Sequence, residues 1–130
     1  MKTLEVTAAI IRQNGKILIC QRPANKSCGL LWEFPGGKIE VGETGEECII
    51  RECQEELGIT ISVDKKLTQV EYEYPDRCVH LHFYISNIVS GALELKEHRA
   101  AHWIAPEEIL NYTFCPADTK MLQSLHYNVF

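Results

Sequence analysis

The chain has 130 residues, of which 45% are hydrophobic, and its formal net charge is −5. This size predicts one domain over residues 1–130 with a core of its own. The acidic balance argues against a nucleic-acid-binding protein, and no apolar run reaches the roughly 18 residues of a membrane span.

Two strands joined by a tight turn are predicted at the N-terminus. The alternating stretch 3–12, LEVTAAIIRQ, is the first strand. Arg12 interrupts its apolar run, which argues against a signal peptide. Asn14-Gly15 is a strong hairpin signal, and the stretch 16–22 is the predicted partner strand.

A loop and a glycine turn follow the hairpin. Residues 23–29 are polar and contain proline and glycine, which indicates a loop. The short apolar run LLWEF places Trp32 in the expected core. It leads into Pro35-Gly36-Gly37, where the glycines allow the backbone to approach a ligand closely.

The next segment is predicted to be a helix with defined ends. Thr44 and Glu47 have the spacing of a capping box, which satisfies backbone N–H groups of the first turn. Gly58 is a natural end, because glycine tolerates the left-handed conformation that follows a helix.

This helix has an apolar face and an acidic face. At about 100° per residue its apolar residues share one arc and are expected to pack; they are Ile49, Ile50, Cys53 and Leu57. A second arc carries Glu52, Glu55 and Glu56. Carboxylates side by side repel one another, and a divalent cation relieves the repulsion. Hard oxygen ligands suit Mg²⁺ or Mn²⁺ rather than zinc, and a solvated acidic face is the alternative.

Two further strands are predicted at 66–74 and 77–86, with Pro75-Asp76 as the turn between them. His80 and His82 alternate along the second strand and therefore share a face. No third metal ligand is evident beside them, so we expect hydrogen-bonded or solvated histidines rather than a zinc site.

The C-terminal part is predicted to hold a loop, two strands and two helices. Residues 87–98 are expected to be a loop with a short strand, and 100–105 a strand. Pro106 is followed by two acids, as at a helix start. A last helix, 115–125, would pack through Met121, Leu122 and Leu125.

The six cysteines show neither C-x-x-C nor zinc-site spacing. Most lie in apolar patterns, so they are expected to be buried thiols of a protein of the reducing cytoplasm.

The helix and its flanks carry a family resemblance. From Gly37 to Ile59 the chain matches the pattern G-x5-E-x7-R-E-U-x-E-E-x-G-U, with U apolar, and so resembles the Nudix hydrolases. The resemblance implies an α/β/α sandwich on a mixed sheet and metal-dependent hydrolysis of a nucleoside diphosphate linked to another group. The segments AAIIR, LWEFPGGKIE and EYEYPDR are similar to the MutT-type branch, whereas FCPADTKML looks more like the branch that cleaves CTP.

The resemblance also implies roles for individual residues. Catalysis would involve Glu52 as the base, Arg51 as the residue that orients the cluster by pairing with an acid such as Glu43, and Glu55. Mg²⁺ or Mn²⁺ would be held by the Gly36 carbonyl, Glu52, Glu55, Glu56 and Glu97. The nucleoside triphosphate would contact Arg22, Phe34, Lys38, Arg77 and Asp118. Without the resemblance, Arg22, Lys38 and Glu97 would be read as surface charges.

Asp118 leaves the preferred base open. MutT-type enzymes that destroy oxidised guanine nucleotides such as 8-oxo-dGTP have asparagine at this position. An ionised aspartate only accepts hydrogen bonds and would favour the amine of cytosine in CTP or dCTP derivatives. A protonated aspartate in an apolar pocket would donate again, so oxidised guanine stays open. A helix cap is the structural alternative for this residue.

Two other functions are weighed against triphosphate hydrolysis. The first is hydrolysis of another nucleoside diphosphate derivative, such as ADP-ribose or a dinucleoside polyphosphate. The second is a catalytically silent nucleotide-binding domain, which is disfavoured because every acid of the motif is present. The sequence does not distinguish a monomer from a homodimer.

Overall fold

The computed structural model describes residues 2–125; residue 1 and residues 126–130, the two ends of the predicted domain, lie outside the described residues. Within this range the elements are β1 (Thr3–Gln13), β2 (Lys16–Gln21), β3 (Trp32–Glu33), β4 (Gly36–Lys38), α1 (Gly45–Leu57), β5 (Thr60–Tyr74), β6 (Arg77–Ser90), β7 (Ala100–Ile104), a 3₁₀ helix (Pro106–Asn111) and α2 (Pro116–Ser124). No helix in residues 2–125 is long and apolar enough to cross a membrane.

The strands form one seven-stranded sheet with β1 at its centre. The path runs β3-β2-β1-β6-β5, while β4 pairs with β1 and β7 pairs with β2. β1 is parallel to β6 and antiparallel to β2 and β4. The mixed sheet predicted by the family resemblance is therefore confirmed.

Each face of the sheet is covered by its own core, and β1 contributes to both. Ala8 and Ile10 point into the core shared with α2, and Ala9 and Ile11 point into the core shared with α1. This alternation follows from the two-residue period of a strand. The result is the predicted α/β/α arrangement, because a helix packs on either side.

The local signals at the turn and the helix ends are confirmed. Asn14 and Gly15 both have positive φ, 52° and 76°, as a two-residue hairpin turn requires. Thr44 Oγ1 accepts from the Glu47 N–H at 3.1 Å, and Glu47 Oε1 accepts from the Thr44 N–H at 2.9 Å. The helix ends at Gly58, which has φ 67°.

The short strand predicted within 87–98 is absent from the described residues. β6 instead continues to Ser90, and the chain then turns at Gly91, where φ is 96°. In the following loop Glu94 and Lys96 donate backbone hydrogen bonds to the carbonyls of Leu57 and Glu56, at 2.9 and 3.1 Å. The loop satisfies the last carbonyls of α1, which have no partner within the helix.

Other sequence expectations need smaller corrections. β5 begins earlier than the predicted 66, and the segment from Pro106 is a 3₁₀ helix. Trp32 is only half-buried and packs against His102 and Tyr112. Ile50 is exposed rather than packed, because the buried arc of α1 is rotated toward the acidic side.

The packing of α2 and the state of the cysteines agree with expectation. The core covered by α2 contains Met121 and Leu122, with Leu125 partly buried against it. All six cysteines are free; Cys28 and Cys78 are half-buried, and the fully buried ones are Cys20, Cys48, Cys53 and Cys115.

Candidate active site

The glycine turn lies directly against α1. β4 pairs with β1 so closely that a Cβ on Gly36 would lie 1.9 Å from the Thr7 carbonyl oxygen. A Cβ on Gly37 would lie 2.4 Å from the carboxyl carbon of Glu52. Only glycine fits at position 36, and a side chain at position 37 would displace the Glu52 carboxylate, so the turn places its backbone beside that carboxylate.

Arg51 connects the acids around this turn. Its Nε and Nη2 donate to the two oxygens of Glu43 at 2.6 and 3.0 Å. Its Nη1 lies 2.9 Å from Glu52 and 3.1 Å from Glu55. The bidentate hydrogen bonds of Arg51, together with the Glu40 N–H, lower the pKa of Glu43 to about 2. The predicted pairing of Arg51 with Glu43 is thus present.

Glu56 is the buried acid of the site. Its relative exposure is 7%, and its Oε1 has no hydrogen-bond partner among the described residues. Burial, followed by the charges of Glu52, Glu33 and Glu97, raises the pKa of Glu56 to about 9. A buried carboxylate with an unsatisfied oxygen is costly unless a cation compensates it.

The remaining acids differ in their surroundings. Glu52 is mostly buried, and burial raises its pKa against the opposing effect of Arg51. The Glu55 side chain is 57% exposed, and Glu97 is exposed on the loop after β6. No three of these carboxylates gather oxygens within 4.8 Å in residues 2–125. Glu52 and Glu55 instead share Nη1 of Arg51 as their hydrogen-bond donor.

The donor set nevertheless fits a hard divalent cation. Its side-chain members are all carboxylates, and Glu56, with its unsatisfied oxygen, lies among acids that raise one another's pKa. Carboxylates and carbonyls are the ligands of magnesium and manganese. A cation would satisfy Glu56 and offset the mutual repulsion.

A cavity of about 190 Å³ opens on the other side of the glycine turn. Of the residues predicted to contact substrate, the structure brings four to its lining: Arg22, Phe34, Arg77 and Asp118. Gly36 and Gly37 also line it, so the cavity and the acidic cluster share the turn. Lys38 is exposed at the end of β4 and is outside this lining.

Asp118 forms the polar end of the cavity. It is 5% exposed, and its Oδ1 accepts a hydrogen bond from the Phe34 N–H at 3.2 Å. Burial, then the charge of Glu33, raises the pKa of Asp118 well above its ordinary value. This environment favours the neutral carboxylic acid, which can donate as well as accept. The interaction with Phe34 ties α2 to the strand before the glycine turn.

Glu33 and His98 are the site residues that the sequence did not reveal. His98 Nε2 lies 2.9 Å from Glu33 Oε2, and Glu33 also pairs with Arg22 at 3.2 Å. Arg22 and Glu33 line both the first cavity and a second one of about 430 Å³, which His98, Glu56 and Glu97 also line. In the sequence, Glu33 is recognisable as a charged residue inside the apolar run LLWEF. No local pattern distinguishes His98.

Comparisons with known proteins agree with this geometry. The NUDIX domain family matches residues 6–124. The chain is 43% identical over 124 residues to a CTP pyrophosphohydrolase of Escherichia coli, with 95% of this chain and 92% of the relative covered. It is 37% identical over 126 residues to an 8-oxo-dGTP diphosphatase of the same organism, covering 96% and 98%. The solution structure of the E. coli ORF135 protein is similar with a TM-score of 0.81 and 42% identity, covering 95% and 88%.

Proposed function

The chain belongs to the Nudix family, and we propose that it is a nucleoside triphosphate pyrophosphohydrolase of the MutT type, which releases a nucleoside monophosphate and pyrophosphate. The observation that carries the proposal is the buried Glu56 with its unsatisfied oxygen, on the same helix as Glu52, which contacts a glycine turn that lines a cavity of about 190 Å³. The complete set of acids disfavours a silent binding domain.

Mg²⁺ is the proposed cofactor, with Mn²⁺ as a substitute. Glu52, Glu55, Glu56, Glu97 and the Gly36 carbonyl are the proposed ligands. Nudix hydrolases generally need a divalent metal, and when bound the cation offsets phosphate charge and lowers the pKa of a water molecule.

The protein's own residues have distinct parts in the proposed reaction. Glu52 takes the proton from the attacking water, whose oxygen forms a new bond to phosphorus. The bond from that phosphorus to the oxygen bridging the α- and β-phosphates breaks, and this oxygen leaves with the electron pair, which gives a nucleoside monophosphate and pyrophosphate. The raised pKa of Glu52 improves it as a base. Arg51 orients Glu52 by donating to it from a guanidinium already fixed on Glu43.

The cavity is the proposed base site. Phe34 contributes an apolar wall, Arg77 stacks on the Tyr74 ring at 4.5 Å, and Asp118 provides the polar group. The similarity to a CTP pyrophosphohydrolase favours a cytosine-type base. The neutral state favoured for Asp118 supports an oxidised guanine as the second candidate, because that base requires a donor.

A turnover assay tests the proposal. The purified protein is incubated with Mg²⁺ and a panel of purine and pyrimidine triphosphates, including 8-oxo-dGTP, CTP and dCTP, while pyrophosphate is detected. ADP-ribose and a dinucleoside polyphosphate are tested as substrates of the alternative function, hydrolysis of other nucleoside diphosphate derivatives. Pyrophosphate release from a triphosphate is expected. Cleavage of ADP-ribose alone would contradict the triphosphate assignment, and no cleavage of any compound would support the silent binding domain.

We further propose that the protein acts in the cytoplasm, on free nucleotides rather than nucleic acid. Six free cysteines suit a reducing compartment. A net charge of −5 disfavours binding to a polyanion.

A further inference from the structure

Glu5, His80 and His82 form a cluster on the face of the sheet that also carries α1; we call it the sheet-face cluster. Glu5 stands opposite His80 in the parallel pairing of β1 with β6, and His82 is two residues further along the same face. Glu5 Oε1 lies 3.0 Å from His80 Nδ1 and 2.8 Å from His82 Nε2. One ligand atom from each residue lies within 4.8 Å of the other two.

We propose that the sheet-face cluster binds one divalent transition-metal ion of the zinc type. Around a tetrahedral ion with metal–ligand distances of about 2.0–2.1 Å, neighbouring ligand atoms are separated by about 3.3–3.4 Å. The Glu5–His80 and Glu5–His82 distances are within about half an ångström of that value. Small side-chain movements would therefore admit the ion.

The chemistry of the ligands sets the class of metal. Two imidazoles and one carboxylate suit Zn²⁺, Cu²⁺ or Ni²⁺, whereas Mg²⁺ and Mn²⁺ prefer oxygen ligands. Glu5 offers a carboxylate oxygen that already lies within hydrogen-bond distance of both rings. Glu5 is the third ligand that the sequence did not reveal, because it is 75 residues before His80.

The sheet-face cluster is separate from the candidate active site. The residues that flank Glu5 on β1, Leu4 and Val6, line the base cavity. Successive side chains of a strand point to opposite faces, so Glu5 points away from that cavity. The proposal therefore does not depend on the proposed function.

Lys66 opposes coordination in the described structure. Its Nζ lies 2.8 Å from His82 Nδ1 and 2.6 Å from Gln69 Oε1. By donating to Nδ1, Lys66 places the proton of the neutral ring on Nε2, the atom that faces Glu5. A metal on Nε2 would move the proton to Nδ1. Lys66 would then swing into solvent, and Gln69, opposite His82 on β5, could accept from Nδ1.

Calorimetric titration of the whole protein with ZnCl₂ tests the proposal. Millimolar Mg²⁺ is present throughout, so that zinc must compete with it for the carboxylates of α1. One zinc per chain is expected, with a rise in melting temperature. His82→Ala and Glu5→Gln should each weaken zinc binding at least tenfold. Lys66→Gln should leave it equal or tighter, because the competing ammonium is removed.

Three controls keep the outcome decisive. His102→Ala removes an exposed histidine on β7 outside the cluster and should not change zinc affinity. Cys78→Ser tests the nearest thiol on the same strand. If His82→Ala fails to fold by circular dichroism, His82→Gln replaces it. Zinc binding that persists in a His80→Ala/His82→Ala double variant, that requires Cys78, or that is absent from the wild type overturns the proposal.

Discussion

Gly37 and Glu52 are in direct contact, because the Glu52 carboxylate occupies the space that a methyl group at position 37 would need. The glycine turn and α1 therefore pack against each other at this point, and this packing fixes the position of the Glu52 side chain. Because Glu52 also accepts from Arg51 at 2.9 Å, its position is set from two sides. The position of the proposed base therefore depends on backbone packing as well as on its own hydrogen bonds.

Gly37→Ala should lower kcat at least tenfold, because its Cβ would lie under 3 Å from the Glu52 carboxylate and displace it. Small displacements in a catalytic group have large effects on rate. Steady-state kinetics of Gly37→Ala, Glu52→Gln and the double variant measure this. The double variant should be no slower than Glu52→Gln, and additive losses would mean that Gly37 acts in another way.

The elements that local signals define were predictable from the sequence. The hairpin at Asn14-Gly15, the capping box at Thr44 and the end of α1 at Gly58 each depend on residues within one turn of one another. The pairing of Arg51 with Glu43 was also accessible, since both belong to the family motif. These features need no knowledge of distant parts of the chain.

The rotation of α1 about its own axis, which decides which side chains are buried, could not be predicted from local signals. Periodicity placed Ile50 on the packed face and Glu56 on the presented face, whereas Ile50 is 37% exposed and Glu56 is 7% exposed. The loop after β6 and the turn at Gly37 decide which arc is covered, and both are distant in sequence. The contacts of Glu33 with His98 and of Glu5 with His80 escaped prediction for the same reason.

Glu52→Gln should lower turnover by about 10²–10⁴-fold while leaving the fold intact, as expected for loss of a general base. The amide keeps the size of the side chain but cannot take a proton. Turnover at saturating substrate with Mg²⁺ is the measurement, with circular dichroism as the check on folding. Glu46→Gln, an exposed acid in the first turn of the same helix, is the matched control and should retain activity. An unchanged rate in Glu52→Gln would remove this residue from the mechanism.

Glu56 should make stability depend on pH when no divalent cation is present. Its pKa is about 9 in the folded protein against an ordinary value of 4.5, so the stability that its protonated form contributes is complete below 4.5 and is lost as pH rises through 9. One such group changes the free energy of unfolding by at most about 1.4 kcal/mol per pH unit.

Chemical denaturation between pH 5 and 9 in a chelator measures this dependence. Glu56→Gln should flatten the profile, since glutamine does not titrate. Added Mg²⁺ should stabilise the wild type at the alkaline end and have a much smaller effect on Glu56→Gln. Glu56→Ala should abolish metal binding by calorimetry. Retained Mg²⁺ affinity in that variant would contradict the proposed ligand set.

The cysteines should react with a thiol reagent in two classes. Cys28 and Cys78 are half-buried and should be labelled in the native protein, while the four buried thiols should react only on unfolding. Burial also raises the pKa of Cys48 to about 11, which leaves little reactive thiolate at neutral pH. Mass spectrometry of labelled protein with and without denaturant gives the counts. Rapid labelling of Cys53 in the native state would contradict the packing of α1.

Asp118→Asn should change the base preference by about tenfold or more if Asp118 is ionised with substrate bound, because a hydrogen-bonding group in a buried site discriminates strongly between partners. Asparagine still offers an oxygen to the Phe34 N–H, so the link between α2 and the turn is kept. The ratio of kcat/KM for 8-oxo-dGTP to that for CTP is the measurement.

If Asp118 is ionised with substrate bound, it accepts from the cytosine amine, and asparagine should shift the ratio toward oxidised guanine. If Asp118 is neutral, it already donates a hydrogen bond, and Asp118→Asn should leave the ratio of kcat/KM for 8-oxo-dGTP to that for CTP nearly unchanged. Asp118→Ala should reduce kcat/KM for whichever base the wild type prefers, and full activity in that variant would exclude Asp118 from base recognition.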